Sequence, residues 1–228
     1  MKITSLNLQG YMGWKSREAA ILRYLTKQDS DLIVFQEVVY LPEISPISQV
    51  ETLNQTLNYP YGHQSITRSQ MSPLKTIYRE GLAVLSRLSV LNTEALILRQ
   101  DPADHLQRII QLVDIQVAGV VVKLANIHFS FPEKLGVAHL EETLSILESR
   151  DEERVIIGDF NIPDLEQYRQ IWEGKYRASA MTSYISHPSD HTRIDYALIP
   201  ESDQFDQIKV SPNGLSDHRA LTISIEVS

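Results

Sequence analysis

The sequence predicts an α/β protein whose mixed β-sheets are covered by helices, and three observations support this. Short β-rich runs alternate with amphipathic stretches along the 228 residues, as in sheets that carry helices on their faces. Ala118-Gly119 separates two β-rich runs, which predicts a tight hairpin and hence antiparallel pairing. No repeat and no Pro-, Gly- or Ser-rich linker divides the chain, so we expect one domain over residues 1–228.

Eight β-rich runs bounded by polar or turn residues predict strands. These runs are Lys2 to Leu8, Asp31 to Glu37, Gly81 to Leu88, Ile109 to Val117, Val120 to Phe129, Val155 to Gly158, Ile194 to Ile199 and Ala220 to Val227.

Helical periodicity predicts four helices, near residues 16–28, 47–58, 137–150 and 164–173. In the third, Leu140, Leu144 and Leu147 recur at helical spacing. In the fourth, a stripe formed by Leu165, Tyr168 and Trp172 ends at Gly174. Such a stripe is more often a core-facing surface than a cofactor site, so we expect it to pack against a sheet.

The region from Tyr59 to Glu80 shows no regular period and contains Pro60, Pro73 and Arg68. We therefore predict an irregular loop there. A loop of this length is either a functional rim of the site or a surface excursion, and the sequence leaves both interpretations open.

Charge and composition limit the partners of the chain. The net charge of -8 opposes long-range attraction to nucleic acid, and residues 28–67 contain no Lys or Arg. If that segment borders the site, it favours a short or locally single-stranded substrate. Nothing in the sequence indicates an obligate protein partner.

The absence of cysteine excludes disulfides and thiolate metal sites, so any metal must be bound by oxygen or imidazole. The chain enters its first predicted strand without a signal-like segment, and no apolar run reaches the length of a membrane span. We therefore expect a soluble, cytoplasmic protein.

Polar side chains recur at the ends of the predicted strands. Asn7, Glu37 and His128 lie at or near the ends of their apolar runs, and Asp159 with Asn161 follows another. Each alone has a simpler explanation; Asp and Asn, for example, are good turn formers. Because parallel strands end at one edge of a sheet, we nevertheless expect these groups to converge.

Two further segments join this set. Ser216-Asp217-His218 precedes the last predicted strand, and an antiparallel strand presents its beginning where its neighbours end. Asp195 lies inside the otherwise β-like segment Arg193-Ile194-Asp195-Tyr196, and a carboxylate in a buried strand needs a partner.

Taken in order, these segments resemble the endonuclease/exonuclease/phosphatase superfamily. The resemblance spans residues 7 to 218. It implies a four-layer α/β sandwich, with two mixed sheets packed face to face and helices outside, and divalent-metal hydrolysis of phosphate esters. The segments are Asn7, Gln36-Glu37, residues 81–87 (GLAVLSR), Asn126-Ile127-His128, residues 158–161 (GDFN), residues 193–196 (RIDY) and Ser216-Asp217-His218.

Carboxylate and carboxamide ligands suit Mg²⁺, with Mn²⁺ as an alternative, because hard cations prefer oxygen. We expect Glu37 to be the main metal ligand, with Asn7 and Asp217 assisting directly or through water.

The resemblance also implies the catalytic roles. Asp159 would orient and deprotonate the attacking water, and Asn161 would hold that water or the phosphate. His218 would stabilise charge on the phosphoryl oxygens, with Asp195 fixing its orientation. His128 would be a second donor to the phosphate or leaving group.

His187 and His191 are spaced four apart, like a zinc-binding pair on a helix. Pro188 between them opposes a helix, so we predict a loop beside the site instead.

His128 lies where abasic-site endonucleases of the superfamily usually have tyrosine, which favours the DNase I, sphingomyelinase, inositol-phosphatase, deadenylase and tyrosyl-DNA phosphodiesterase branches. Gln9 replaces an acidic residue common in the last of these. We expect a phosphodiesterase acting on nucleic acid ends, such as DNA ends, or on a small nucleotide-like ester. The alternatives are a lipid or sugar-phosphate hydrolase and a non-catalytic phosphate-binding module.

Overall fold

Two six-stranded sheets form the centre of the molecule, in a computed structural model that describes residues 1–71, 75–102 and 104–226. The strands are β1 (Lys2–Asn7), β2 (Leu32–Tyr40), β3 (Tyr61–Met71), β4 (Ile77–Ser86), β5 (Val90–Ile97), β6 (Ile109–Val117), β7 (Val120–His128), β8 (Val155–Asp159), β9 (Tyr176–Ala178), β10 (Asp195–Pro200), β11 (Gln204–Val210) and β12 (Leu221–Glu226).

Four helices lie outside the sheets. Ser48 begins the second helix with a capping box, in which its side chain and that of Glu51 satisfy each other's backbone N–H groups. A 3₁₀ turn over Leu165–Tyr168 leads into the short fourth helix, and another covers Ser179–Met181. The helices are α1 (Trp14–Gln28), α2 (Gln49–Leu57), α3 (Glu133–Ser149) and α4 (Arg169–Trp172).

Both sheets are mixed and share one plan. The first has the order β11-β12-β1-β2-β4-β3 and the second β5-β6-β7-β8-β10-β9. In each sheet one central pair, β1–β2 or β7–β8, is parallel, and the other pairs are antiparallel. The carboxyl ends of β1, β2, β7 and β8 therefore lie beside the amino ends of β12, β4, β6 and β10. We call the edge of the two sheets where these strand ends lie the polar end.

Three buried clusters define four layers. Leu32 and Val84 of the first sheet and Leu124 and Ile157 of the second belong to the cluster between the sheets. A second cluster packs α1 and α2 on the outer face of the first sheet, through Ile21 and Leu53 among others. A third packs α3 and α4 on the second sheet, including Leu140, Leu147, Leu165 and Trp172. The predicted four-layer sandwich and the core-facing stripes are confirmed.

A buried amide network crosses between the sheets just below the polar end. The Asn126 amide nitrogen of β7 donates to the backbone oxygens of Phe35 and Ala83, both at 3.2 Å, and to Gln111 Oε1 at 3.0 Å. Gln36 Nε2 donates to Asn126 Oδ1 at 2.7 Å. Because these groups are buried, each bond is costly to break, and the network fixes β2 against β7.

All eight predicted strands are present, with ends that differ by a few residues; Val227 lies outside the described residues. The hairpin predicted at Ala118-Gly119 is confirmed, because both residues have positive φ in the turn that joins β6 to β7. The fourth predicted helix is instead the 3₁₀ turn followed by a helix of four residues.

The prediction of an irregular loop from Tyr59 to Glu80 is wrong. The region forms β3 and the first part of β4, which pair with each other in antiparallel register. β3 borders only one strand and alternates exposed and half-buried polar residues, so it lacks the apolar run that marks a buried strand. Residues 72–74, including Pro73, lie outside the described residues.

In the described part of the chain, no helix is both long and apolar enough to cross a bilayer.

Candidate active site

Neighbouring strands of the second sheet bring three candidate residues together at the polar end. Asp159, the last residue of β8, lies in register with His128 at the end of β7 and with Asp195 at the start of β10. Gly158 permits this arrangement, since its φ is +147° and a Cβ there would lie 2.1 Å from the backbone oxygen of Ile127.

Asp159 is the most surrounded carboxylate of the site. Its Oδ2 accepts from Asn7 Nδ2 at 3.0 Å and lies 3.5 Å from His128 Nε2 and 3.8 Å from His218 Nε2. Its Oδ1 accepts from the backbone N–H of Asn161 at 3.0 Å. Buried donors arranged in this way fix the direction of the carboxylate.

The first sheet supplies Asn7 and Glu37. Asn7 ends β1, and Glu37 lies where the register of β2 against β4 shifts between Phe35 and Val38. This bulge, with φ of +52° at Glu37, turns its carboxylate toward the second sheet. The Glu37 side chain is about 30% exposed and lies at the rim of the site.

The Asn7 amide joins the two carboxylates. Its Nδ2 donates to Glu37 Oε1 at 3.0 Å as well as to Asp159, while its Oδ1 accepts from the backbone N–H of Gln9 at 2.9 Å. The amide nitrogen therefore faces the carboxylates, and the oxygen accepts from the Gln9 backbone. In this orientation Asn7 positions both carboxylates, and its oxygen keeps a second lone pair for another partner.

His218 lies in the loop before β12, where Ser216 anchors it. The Ser216 hydroxyl donates to the Asn7 backbone oxygen at 2.7 Å and accepts from the His218 backbone N–H at 2.9 Å. His218 Nδ1 is 2.8 Å from Asp195 Oδ2. This bond orients the ring so that Nε2 faces Asp159.

The charges around His218 favour an imidazolium. Burial lowers the pKa of His218, but the carboxylates of Asp195 and Asp159 outweigh burial and raise it to about 10. Burial raises the pKa of Asp159, and the His218 cation opposes that rise. The arrangement is therefore a cation held between two buried carboxylates.

His128 has the opposite electrostatic environment. Burial lowers its pKa well below the ordinary value, and the positive charges of Arg108 and Arg68 lower it further. The ring is thus neutral at pH 7 and carries a single N–H, which suits a hydrogen-bond donor to an oxygen without adding charge.

Asn161 follows Asp159 in a left-handed conformation, with φ of +52°. Its Nδ2 donates to the backbone oxygen of Phe129 at 3.0 Å, which leaves one amide hydrogen and the Oδ1 atom for another partner. Asn161 also lines the cavity described below, so these groups are within reach of a bound molecule.

A family model described as Endonuclease/Exonuclease/phosphatase family matches residues 4–218, most of the chain. The chain belongs to the endonuclease/exonuclease/phosphatase family. This family consists of phosphoesterases, and its members generally use divalent metals. A search of curated proteins returns no match.

Solved structures of other family proteins share the fold. The endonuclease/exonuclease/phosphatase from Beutenbergia cavernae DSM 12333 superposes with a TM-score of 0.81 at 18% identity, covering 100% of this chain and 71% of that one. Sphingomyelinase C from Streptomyces griseocarneus gives 0.70 at 16% identity, with 98% of both chains covered. Humanized D. rerio TDP2 gives 0.72 at 13% identity, with 100% and 99% covered.

The oxygen donors of this family member fit a hard divalent cation. Glu37 presents a partly exposed carboxylate, and Asp217 Oδ1 is buried with no hydrogen-bond partner in the described residues. A buried carboxylate oxygen without a donor is costly, and a cation would relieve that cost. Arg17 joins the segment that follows Asn7 to the segment that precedes Asp217, since its guanidinium donates to the backbone oxygens of Leu8 and Leu215, each at 2.9 Å.

Among the described residues, two groups of three His and Asp side chains each offer ligand atoms within 4.8 Å of one another. One group is Asp159, Asp195 and His218, and the other is His187, Asp217 and His218. In both sets His218 Nδ1 is already bonded to Asp195, and the ring is cationic, which disfavours it as a metal ligand. We therefore retain oxygen atoms of Glu37 and Asp217 as the ligands of first choice.

A cavity of about 490 Å³ opens above these groups. Glu37, His128, Asp159, Asn161, Asp217 and His218 line it. Residues 28–67 are all described, and Glu37 is the one acidic residue among them that lines the cavity. This segment without Lys or Arg therefore adds little negative charge to the cavity beyond Glu37.

Three charged residues that line the cavity are absent from the predicted site: Arg108, Glu80 and Arg68. Arg68 entered the prediction only as part of the irregular loop. One signal could have found the first two. Both lie at the beginning of strands antiparallel to those that end at the polar end, as His218 does.

The loop with His187 and His191 borders the site, as predicted. His187 lines the cavity and stacks edge-on against His218, with ring centroids 5.0 Å apart. Its Nδ1 lies 3.2 Å from Asp190, and His191 lies in a turn with φ of +54°. Among the described residues the two histidines do not form a shared ligand set.

Proposed function

We propose that this chain is a divalent-metal-dependent phosphodiesterase that uses Mg²⁺, with Mn²⁺ as an alternative, and acts on DNA ends or a small nucleotide-like ester. The observation that carries the proposal is the environment of Asp159. A buried carboxylate, fixed by hydrogen bonds from the Asn7 amide and the Asn161 backbone N–H at 3.0 Å each, lines the same cavity as Glu37. Such a preorganised site suits the activation of water beside a phosphate.

Glu37 would hold the metal, with Asp217 as the second carboxylate and Asn7 positioning Glu37 through its amide hydrogen bond. When bound, the cation supplies charge stabilisation to phosphoryl oxygens and lowers the pKa of bound water.

Asp159 accepts the proton of the attacking water in this proposal. Its backbone bond from Asn161 and its side-chain bond from Asn7 fix the lone pairs that face the cavity. The free amide groups of Asn161 hold that water or the phosphate in line. Misplacing a catalytic group by about 1 Å can lower the reaction rate about 100-fold, so the hydrogen bonds that fix the Asp159 carboxylate support this role.

His218 stabilises the charge that gathers on the phosphoryl oxygens, because its ring is cationic and fixed by Asp195. His128 donates its single N–H to the phosphate or leaving group without adding a positive charge. Asp195 is a positioning residue, because it acts through the His218 ring.

The size of the cavity supports a small ester or a chain end. About 490 Å³ is within the usual range of small-molecule sites. The similar fold of sphingomyelinase C keeps a lipid or sugar-phosphate ester as the alternative substrate. The cytoplasmic location and the single-domain organisation expected from the sequence remain predictions.

An activity panel tests the proposal. We expect Mg²⁺-dependent hydrolysis of bis-p-nitrophenyl phosphate and of DNA ends, tested on single-stranded and tyrosyl-DNA, exceeding that of sphingomyelin and inositol phosphates. Asp159→Asn should lower kcat by about 10³-fold, the scale of a positioned base. Asp206→Asn changes an exposed carboxylate on β11 and serves as the matched control.

Preference for sphingomyelin or inositol phosphates would favour the alternative substrate class. Hydrolysis of none of these esters, with phosphate still bound, would favour a non-catalytic module and contradict the proposal. Undiminished turnover by Asp159→Asn would contradict the role of that residue.

A further inference from the structure

The strand β3 is an open sheet edge. It is 11 residues long and borders only β4 in the first sheet. Among the described residues, one hydrogen bond reaches its backbone from outside that pairing, from Gln111 Nε2 to the His63 oxygen at 3.4 Å. A strand that is paired on one side directs about half of its backbone N–H and C=O groups outward. β3 therefore offers a row of backbone groups with which a further strand can pair.

The other three edge strands are protected against such pairing. β9 has only three residues. β11 carries the exposed charges of Asp206 and Lys209, and β5 carries Glu94, which forms an ion pair with Arg150. Short length and exposed charges are features that prevent proteins from pairing edge to edge. Their absence on β3 indicates that this edge has a partner.

On β3, exposed apolar residues take the place of exposed charges. Tyr61 is 39% exposed and Ile66 is 54% exposed. Arg68 is the one Asp, Glu, Lys or Arg residue of the strand, and its side chain is 12% exposed and paired with Glu80. The register of β3 with β4 is regular from Tyr61 to Ile66 and shifts just beyond, between Ile66 and Arg68. Residues 61–66 are therefore the part of β3 best suited to pair with another strand.

β3 lies beside β5, the edge strand of the second sheet, and together they form one side of the sandwich. A groove of about 470 Å³ lies between them, lined by residues 60–63 and 90–93, and Leu91 and Ile97 of β5 are exposed. Eleven strand residues and two sheets packed about 10 Å apart make this side roughly 35 Å long and about 20 Å deep. Contact along it would bury about 700 Å² per chain, close to the about 800 Å² of stable complexes.

Charge indicates where two copies of this chain can meet. The net charge of -8 makes two copies repel each other over most of their surfaces. Residues 52–79 contain no Asp or Glu, which is the longest such run in the sequence, and they include all of β3. The repulsion is therefore weakest where β3 meets β3 of a second copy. A twofold axis there also pairs both open edges at once.

We propose that this chain forms a twofold-symmetric dimer in which β3 of one copy pairs antiparallel with β3 of the second, so that the first sheet continues across the interface. Residues 61–66 then pair with the same residues of the second copy. The antiparallel arrangement turns the two polar ends in opposite directions, so the two cavities open at opposite ends of the dimer. The inference does not depend on the proposed function.

Sedimentation velocity of the full chain at about 1 to 100 µM tests the dimer. We expect the wild type to approach twice its chain mass of 26.0 kDa at the highest concentration. Ile66→Lys should raise the dimer dissociation constant at least about 30-fold, because it adds a cation to both sides of the interface. Val121→Lys replaces an exposed β-branched residue on the interior strand β7, and this control should dimerise like the wild type.

Amide hydrogen exchange of the wild type shows whether β3 forms the interface. The outward-facing amides of residues 61–66 should exchange at least about 10-fold more slowly in the dimer than in the monomer obtained by dilution, while amides of the edge strand β11 should not change. A wild type that stays monomeric at about 100 µM would overturn the inference. So would a dimer without slower exchange in β3, or an Ile66→Lys variant that is folded by its melting temperature and dimerises like the wild type.

Discussion

The His218 ring is the residue on which the electrostatics of the site depend. It bonds to Asp195 through Nδ1 and faces Asp159 through Nε2, so its charge links two buried carboxylates. His128, only two strands from Asp195 in the same sheet, is neutral instead, because burial lowers its pKa well below the ordinary value and the charges of Arg108 and Arg68 lower it further. The two histidines of this site thus differ in protonation, with a cationic His218 and a neutral His128, because their surroundings differ.

Titration of His218 tests this assignment. Its folded pKa of about 10 exceeds the unfolded value of about 6.5, so its contribution to stability is complete below pH 6.5 and is lost as pH rises through 10. Asp195→Asn should lower the His218 pKa by at least about one unit, because the nearest carboxylate loses its charge. NMR titration of the His218 ring measures both values.

A His218 pKa that is the same in Asp195→Asn and wild type would contradict the assignment. Asp190→Asn changes a carboxylate that contacts His187 rather than His218, and it should leave the His218 titration close to that of the wild type.

Polar residues at the ends of buried strands were predictable at the residue scale. Asp159 and His128 follow apolar runs and end their strands, Glu37 follows the apolar run of β2 at its bulge, and sheet geometry brings these positions together. The amide orientation of Asn7 was not predictable, since it depends on the backbone of Gln9 and on two carboxylates from other strands. Arg108 was missed because a basic residue before a strand carries no local signal of burial.

At the scale of elements, the amide network around Asn126 holds the two sheets in relative position. Asn126 lies two residues before His128 and contacts Phe35 and Gln36, which precede Glu37. Groups from both sheets that must meet at the polar end are therefore connected a short distance below it. In the motif Asn126-Ile127-His128, Asn126 therefore holds the sheets together, while His128 is the candidate catalytic residue.

Asn126→Leu should lower the free energy of unfolding by about 2–4 kcal/mol, because it leaves buried amide and carbonyl groups of neighbouring strands without partners. Urea unfolding measures the change. Gln116→Leu replaces a half-buried amide near the β6–β7 turn whose Nε2 donates to the Val120 backbone oxygen, and it should change stability by less than about 0.5 kcal/mol. Equal effects of the two substitutions would contradict a special role for the network.

Gly158 controls how closely β7 and β8 approach. Gly158→Ala should destabilise the protein by at least about 3 kcal/mol, because the new Cβ would meet the Ile127 backbone oxygen and alanine disfavours φ of +147°. Gly214→Ala separates the two causes, since φ there is +100° but no heavy atom of the described residues lies within 4 Å of a Cβ. We expect a loss of about 1–2 kcal/mol for Gly214→Ala in thermal unfolding.

If Gly158→Ala cost no more than Gly214→Ala, the steric part of this explanation would be wrong.

Which elements the sequence predicts follows a simple physical rule. The eight predicted strands are the interior strands of the two sheets, and the four that were missed, β3, β5, β9 and β11, are the edge strands. An interior strand is buried on both sides and reads as an apolar run, whereas an edge strand has a neighbour on one side only and carries polar residues. Pairing with a partner, rather than local composition, fixes the edge strands.

At the scale of the whole molecule, the matching plan of the two sheets explains why one site forms. Each sheet brings the ends of a central parallel pair to the polar end, and face-to-face packing places the two pairs opposite each other. Glu37 and Asn7 from one sheet therefore face Asp159 and His128 from the other. The predicted site residues converge although they are up to about 200 residues apart in sequence.

We propose that these side chains from two sheets act together with a divalent cation bound by Glu37. Hydrolysis of bis-p-nitrophenyl phosphate should cease after exhaustive chelation and return when Mg²⁺ or Mn²⁺ is added, because the carboxylates alone cannot neutralise the charge that develops on phosphorus-bound oxygens.

Glu37→Gln removes the ligand charge while keeping the shape of the side chain, and Glu166→Gln, which replaces a glutamate that does not line the cavity, is the control. The most direct measurement is the Mg²⁺ concentration that restores half of the activity in each protein. We expect Glu37→Gln to require at least about 10-fold more Mg²⁺, or not to be restored, while Glu166→Gln matches the wild type. Activity that survives chelation, or an unchanged Mg²⁺ requirement in Glu37→Gln, would contradict this proposal.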